Sequence, residues 1–214
     1  MEIKFNLKRY ENSIVGIEKY PIEKGKILLC GSSFFTNWGY ERSREQLSGI
    51  GGEQKAIINH GFGGSTVDEV LYYYHRLIKP YDPKMIVTRF GINDIFAGYS
   101  IDQICDLSSR FYEWAKTDFP NIKIIILSSF DFKSAPSKNV LPQIAEYNDL
   151  MKKYCAENNS MFFCDINEFF YKSKNDIGTF VNFKDIFKDD GLHLTDEGYD
   201  QLAHYFKEKL SQYI

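Results

Sequence analysis

Five short apolar runs, each separated from the next by a stretch with helical periodicity, constrain this chain more than any other feature. They fall at residues 26–30, 56–59, 85–88, 121–127 and 161–164. The clearest of them are continuous rather than alternating, the pattern of strands covered on both faces. Between them, Val67, Val70, Leu71, Tyr74, Leu77 and Ile78 recur at helical intervals behind a Thr66/Glu69 capping box. Ser100 and Gln103 repeat that spacing ahead of Ile104, Phe111 and Trp114, expected to face inward. A loop holding Pro136 and Pro142 leads to a stripe of Ile144, Tyr147, Met151 and Tyr154. The stretch from about residue 167 to 188, with Gly178, reads as irregular. Thr195 then caps a last helix whose Tyr199, Leu202, Ala203, Phe206 and Leu210 share one face.

Strands alternating with helices call for a parallel sheet sandwiched between helical layers and joined by right-handed crossovers. The 214 residues suffice for one domain spanning 1–214 with a full core. Residues 1–24 are expected to pack on it as a helical segment: a charged helix from about residue 7 to 20 carries Tyr10, Ile14 and Ile17, and Pro21 and Gly25 end it.

Hydrophobic residues at 43% and charged residues at 26% are ordinary for a globular protein. A net charge of −3, without a long basic run, argues against nucleic acid as a partner. No stretch approaches the roughly 18 apolar residues of a membrane span, and the N-terminus lacks a signal-like apolar core, so a cytoplasmic location without membrane insertion is expected. Cys30, Cys105, Cys155 and Cys164 fall singly, without metal-ligand or redox spacing, and read as reduced core residues.

In such a sheet the loops after the strands gather along one edge, where ligands bind. Gly31-Ser-Ser33, His60-Gly-Phe-Gly-Gly64 and Gly91-Ile-Asn93 each follow a strand and should lie side by side. A serine there needs a base. Of the four histidines, His75 and His204 sit on amphipathic helices, whereas His193 sits in a loop three residues after Asp190, an offset at which a carboxylate can hold one ring nitrogen and leave the other facing the serine. The backbone N–H groups of Ser33 and Gly64 and the side-chain amide of Asn93 are candidate donors to a developing oxyanion.

Taken together and in this order, these blocks resemble the SGNH (GDSL-type) hydrolase family of serine esterases. Gly31-Ser32-Ser33 with Trp38 behind it is similar to that family's G-S-S-S-x-x-x-W block. Asn59 to Thr66, Gly91-Ile-Asn93-Asp94 and Asp190-Gly-Leu-His193 are similar to the other three. The resemblance implies a three-layer α/β/α fold with a five-stranded flavodoxin-like parallel sheet. It makes Ser33 the nucleophile, His193 the general base, Asp190 its orienter, and Ser33, Gly64 and Asn93 the oxyanion hole. Ser32 remains a second candidate nucleophile because the family's namesake motif has Asp at that position, and Asp189 stands beside Asp190.

Phe34, Phe35 and Trp38 can wall an acyl pocket, although aromatics directly after a buried strand also suit a core. Arg89 can meet an anionic substrate, form a salt bridge or sit at a solvated strand end. The expected activity is metal- and cofactor-independent hydrolysis of a small-molecule ester, with a short acyl group such as acetyl on a sugar or other small alcohol, by a monomer or homo-oligomer. The alternatives are a lysophospholipase or thioesterase, and a non-enzymatic flavodoxin-like module holding a phosphate or nucleotide at Gly61–Gly64; against the module, neither phosphate-binding glycine motif is present.

Overall fold

The computed structural model describes residues 8–134, 139–175 and 180–214. Five strands, β1 (Ile27–Gly31), β2 (Ile57–Asn59), β3 (Met85–Arg89), β4 (Lys123–Leu127) and β5 (Met161–Cys164), form one parallel sheet in the order β2-β1-β3-β4-β5. Every residue of β1, β2 and β3 is buried, which is why their sequences run apolar without alternation. The order reverses at β1, whose neighbours are β2 and β3, and the crevice beyond the carboxyl ends of such a pair is where this sheet type binds ligands.

Helices cover both faces. On one side Val67–Tyr72, Ile101–Asp118 and Leu141–Ala156 pack in succession; on the other Tyr40–Gln46 meets Asp196–Ser211. The Ser100 box is formed, with Ser100 N–H donating to Gln103 Oε1 at 2.9 Å. Thr195 Oγ1 accepts from Gly198 N–H at 3.1 Å. Near the N-terminus Glu11–Ile17 is helical, with Ile14 and Ile17 buried. Arg76 pins this helix through Glu11 and Glu18, both at 2.7 Å.

Several expectations are corrected. Trp114 does not face inward: it is 44% exposed, and its ring lies over His75 and against Tyr74, because Phe111 and Tyr112 already fill the core-facing side of that helix. The apolar stripe from Val67 to Ile78 is two helical pieces divided at Tyr73 (φ −93°, ψ 5°). The break buries two neighbouring rings at once, Tyr73 against Phe62 and Tyr74 against Phe111. Pro142 belongs to the first turn of Leu141–Ala156, where its missing N–H costs no helical bond; Pro136 lies outside the described residues. The stretch read as irregular contains a helical turn, Asn167–Phe170, and an antiparallel pair, β6 (Tyr171–Lys174) with β7 (Phe180–Phe183). Tyr171 stacks on Phe183 at 4.4 Å there, and strands this short are too brief to show as periodicity. Gly178 lies outside the described residues.

Candidate active site

Ser33 opens a single helical turn, Ser33–Thr36, immediately after β1. Its Oγ lies 3.0 Å from His193 Nε2. The opposite ring nitrogen, His193 Nδ1, lies 2.6 Å from Asp190 Oδ2. Asp190 Oδ1 accepts the backbone N–H groups of Leu192 and His193, both at 2.9 Å, so one carboxylate both orients the imidazole and shapes the turn that carries it. Burial opposes charge on Asp190, but the hydrogen bonds from His193 and these two backbone groups outweigh it and pull the carboxyl down to about 2.

Of the two serines it is Ser33 that meets the histidine; Ser32 instead caps the turn, its carbonyl accepting from Phe35 N–H, Thr36 N–H and Thr36 Oγ1. Asp189 is exposed, and Asp190 makes the bond to His193. His75 and His204 lie on exposed helix faces. His60 is fully buried with Nδ1 bonded to the Leu77 carbonyl at 2.6 Å, and burial pushes it down to about 4, so it stays neutral.

The second loop runs alongside the first because His60 N–H bonds to the Leu29 carbonyl and Phe62 N–H to that of Gly31. Gly61 is required here: a Cβ would sit 2.6 Å from Phe35 Cβ and 2.8 Å from Thr36 N. Gly64 adopts φ +82°, and a Cβ on it would lie 2.6 Å from Tyr10 Oη. Among the described residues, neither Ser33 N–H nor Gly64 N–H donates to another group. Asn93 Nδ2 gives one hydrogen to the Ser65 carbonyl at 3.0 Å, which orients the amide and leaves its second hydrogen available. Asp94 ties the loops together, Oδ1 accepting Val67 N–H at 2.8 Å and Oδ2 accepting Gly91 N–H at 3.3 Å.

Of the residues read as pocket walls, Phe34 and Arg89 border the cavity at Ser33, whereas Trp38 and Phe35 take the core alternative. Trp38 does not line the site: it is 1% exposed, its Nε1 donates to Gln46 Oε1 at 2.7 Å, and its ring packs on Tyr199 and Phe206. Phe35 is likewise core, fully buried, whereas Phe34 does border the cavity at Ser33. Arg89 is neither salt-bridged nor at a solvated strand end. It is 5% exposed, with Phe130 and Phe34 ring centroids 3.9 Å and 5.0 Å from Cζ, and among the described residues neither Nε nor Nη2 has a partner. Burial without a counter-charge pushes it down to about 9.

Arg9 and Tyr10 were not expected near this edge, since only an amphipathic pattern marks their segment. Arg9 grips Glu69 at 2.5 Å and 2.9 Å and reaches the Gly64 carbonyl at 3.3 Å; Tyr10 packs edge-on to Phe62. The spans of up to 60 residues that bring them here follow the sheet's crossovers, which local patterning does not record.

The sequence profile of the GDSL-like lipase/acylhydrolase family matches residues 29–201, from within β1 to within the last helix. The chain belongs to this family. Family members are ester-bond hydrolases, and the four sequence blocks that carried the resemblance all lie inside the matched span. A multidomain esterase from Ruminococcus flavefaciens is 26% identical over 141 residues, which cover 64% of this chain and 17% of that relative, so this chain corresponds to a small part of it. Among solved structures, a GDSL-like lipase from Bacteroides thetaiotaomicron superposes with a TM-score of 0.71 at 20% identity, covering 98% of both chains. An acetylxylan esterase from Geobacillus stearothermophilus does so at 0.66 and 19% identity, covering 89% of this chain and 96% of its own. At such identities these are likenesses of fold, and they place this GDSL-like chain in the three-layer α/β/α architecture expected for it.

Proposed function

We propose that this GDSL-like protein is a serine esterase that removes a short acyl group from a small alcohol or sugar. The observation that carries the reading is the continuous chain from Asp190 Oδ2 through His193 to Ser33 Oγ, with contacts of 2.6 Å and 3.0 Å. Ser33 Oγ attacks the ester carbonyl carbon while His193 Nε2 takes its proton. Asp190 holds Nδ1–H, so the accepting nitrogen faces the serine and the imidazolium is stabilised as it forms. The tetrahedral oxyanion receives Ser33 N–H, Gly64 N–H and the second N–H of Asn93. His193 then gives the proton to the departing alkoxide, leaving the acyl group on Ser33. Water, deprotonated by the same nitrogen, attacks the acyl-enzyme and releases the carboxylic acid and a protonated Ser33. No step needs a metal or cofactor.

The short acyl group is supported by the cavity beside Ser33 and His193. It measures about 10 Å³, room for roughly one water-sized group. The fold likeness to an acetylxylan esterase agrees with that size. The test pairs a fluorophosphonate probe with acetyl, butyryl and octanoyl 4-nitrophenyl esters. Wild type should be labelled at Ser33 and lose rate as the chain lengthens, and Ser33→Ala should be inert. Labelling elsewhere, or full activity in Ser33→Ala, would overturn the nucleophile assignment, and a rate rising with length would move the substrate to the lysophospholipid or thioester class.

A further inference from the structure

A buried cation with no counter-ion among the described residues is the least explained feature of this molecule. Arg89 ends β3 beside Gly31 of β1 and borders the same small cavity as Ser33 and His193. Its guanidinium lies over the ring of Phe130 and near that of Phe34, which favour its charge but accept no N–H in the plane of the group. The Tyr199 and Tyr147 hydroxyls, which favour its charge, make hydrogen bonds elsewhere, Tyr199 Oη donating to the Phe34 carbonyl at 2.9 Å and Tyr147 Oη paired with Ser108 at 3.2 Å. Among the described residues, Nε and Nη2 have no acceptor. A fully apolar acyl group entering this cavity would exclude water and keep those donors unpaired; an oxygen atom would pair them.

We propose that Arg89 is the floor of the acyl pocket, and that the preferred acyl group is a two-carbon one bearing an oxygen acceptor beside its carbonyl, of the hydroxyacetyl type. The inference rests on Ser33 being the nucleophile. Size selects among oxygen-bearing groups: the cavity takes about one water-sized group, which suits a hydroxyl on the α-carbon and not a carboxylate on a longer chain. The acyl group is placed on this side because the proposed substrate has a short acyl group on a larger alcohol, and a cavity of this size beside Ser33 holds only the smaller part.

The test uses one leaving group, 4-methylumbelliferol, carrying acetyl, propionyl, hydroxyacetyl or hemisuccinyl groups, with the intact chain and Arg89→Met. Propionyl and hydroxyacetyl differ only by methyl against hydroxyl. Dividing the hydroxyacetyl-to-propionyl ratio of kcat/KM in wild type by that in Arg89→Met cancels the intrinsic reactivity of the esters. The quotient should be tenfold or more. A quotient near one, or a wild-type preference for hemisuccinyl over hydroxyacetyl, overturns the proposal. Should Arg89→Met fail to fold, wild type alone decides: glycolate should inhibit acetyl ester hydrolysis competitively at a concentration at least tenfold below propionate, and the reverse order refutes it. Inertness toward all four esters, with no fluorophosphonate adduct, would instead remove the esterase reading on which the proposal stands.

Discussion

Asp190→Asn separates the two jobs of one carboxylate. In the wild-type turn, Oδ1 accepts the N–H groups of Leu192 and His193 at 2.9 Å, and Oδ2 faces His193 Nδ1 at 2.6 Å. The variant's amide oxygen can keep the two backbone bonds, which places its NH₂ opposite Nδ1. That NH₂ can only donate, so the imidazole must turn its lone pair to Nδ1 and carry its hydrogen on Nε2, toward Ser33 Oγ. A base whose accepting nitrogen faces away cannot take the serine proton. The expected loss in kcat is about 10⁴-fold, the scale of a tautomer reversal in a triad, equivalent to about 5.5 kcal/mol. Stability should fall far less. The wild-type carboxyl is held at about 2, below its unfolded value, so its contribution is present above pH about 4 and is lost as pH falls toward 2. The side chain is 49% exposed, and screening holds that contribution to about 1 kcal/mol or less. Hydrolysis of an acetyl ester and the rate of fluorophosphonate labelling give the first quantity, and urea unfolding gives the second. Asp189→Asn should leave both within about twofold, since Asp189 takes no part in orienting His193. Retention of more than about a tenth of wild-type kcat in Asp190→Asn, or an equal loss in Asp189→Asn, would refute the orienting role.

Gly64→Ala should lower kcat about 100-fold with a smaller change in KM, by strain at φ +82° and a Cβ 2.6 Å from Tyr10 Oη that displaces a proposed oxyanion donor; adding Tyr10→Phe should recover part of the loss, and no recovery would exclude that clash. Trp38→Ala should destabilise the protein by about 3–5 kcal/mol in urea unfolding while leaving the acetyl-to-butyryl rate ratio unchanged; an altered ratio would return Trp38 to the pocket. Burial pushes the Asp94 carboxyl up to about 7, so the folded state holds that proton more tightly than the unfolded chain and stability should decline as pH rises from about 4 to 7. Asp94→Asn should flatten that slope, and parallel profiles for the two proteins would show that another group sets it.

The alternation of continuous apolar runs with amphipathic stretches, together with the glycine-marked breaks after three of the runs, determined the sheet, its two helical layers and the gathering of residues 31–33, 60–64 and 91–93 along one edge. Burial on both faces writes itself into every residue of a strand, and a capping box is local, so both can be read without coordinates. What depends on partners distant in the chain could not. Trp38 and Phe34 follow the same strand, four residues apart, yet one is locked in the core by Gln46, Tyr199 and Phe206 while the other borders the cavity at Ser33. Two adjacent acids stand three and four residues before His193; the three-residue offset already favours Asp190, and the path of the turn puts it against Nδ1. Arg89 looked like a strand-end charge; its aromatic enclosure by Phe34 and Phe130, from segments 55 and 41 residues away, exists only once β1, β3 and β4 lie side by side. Periodicity records how much of a residue is covered, whereas the identity of what covers it is a product of crossovers, and it is there that the tertiary structure decided the site.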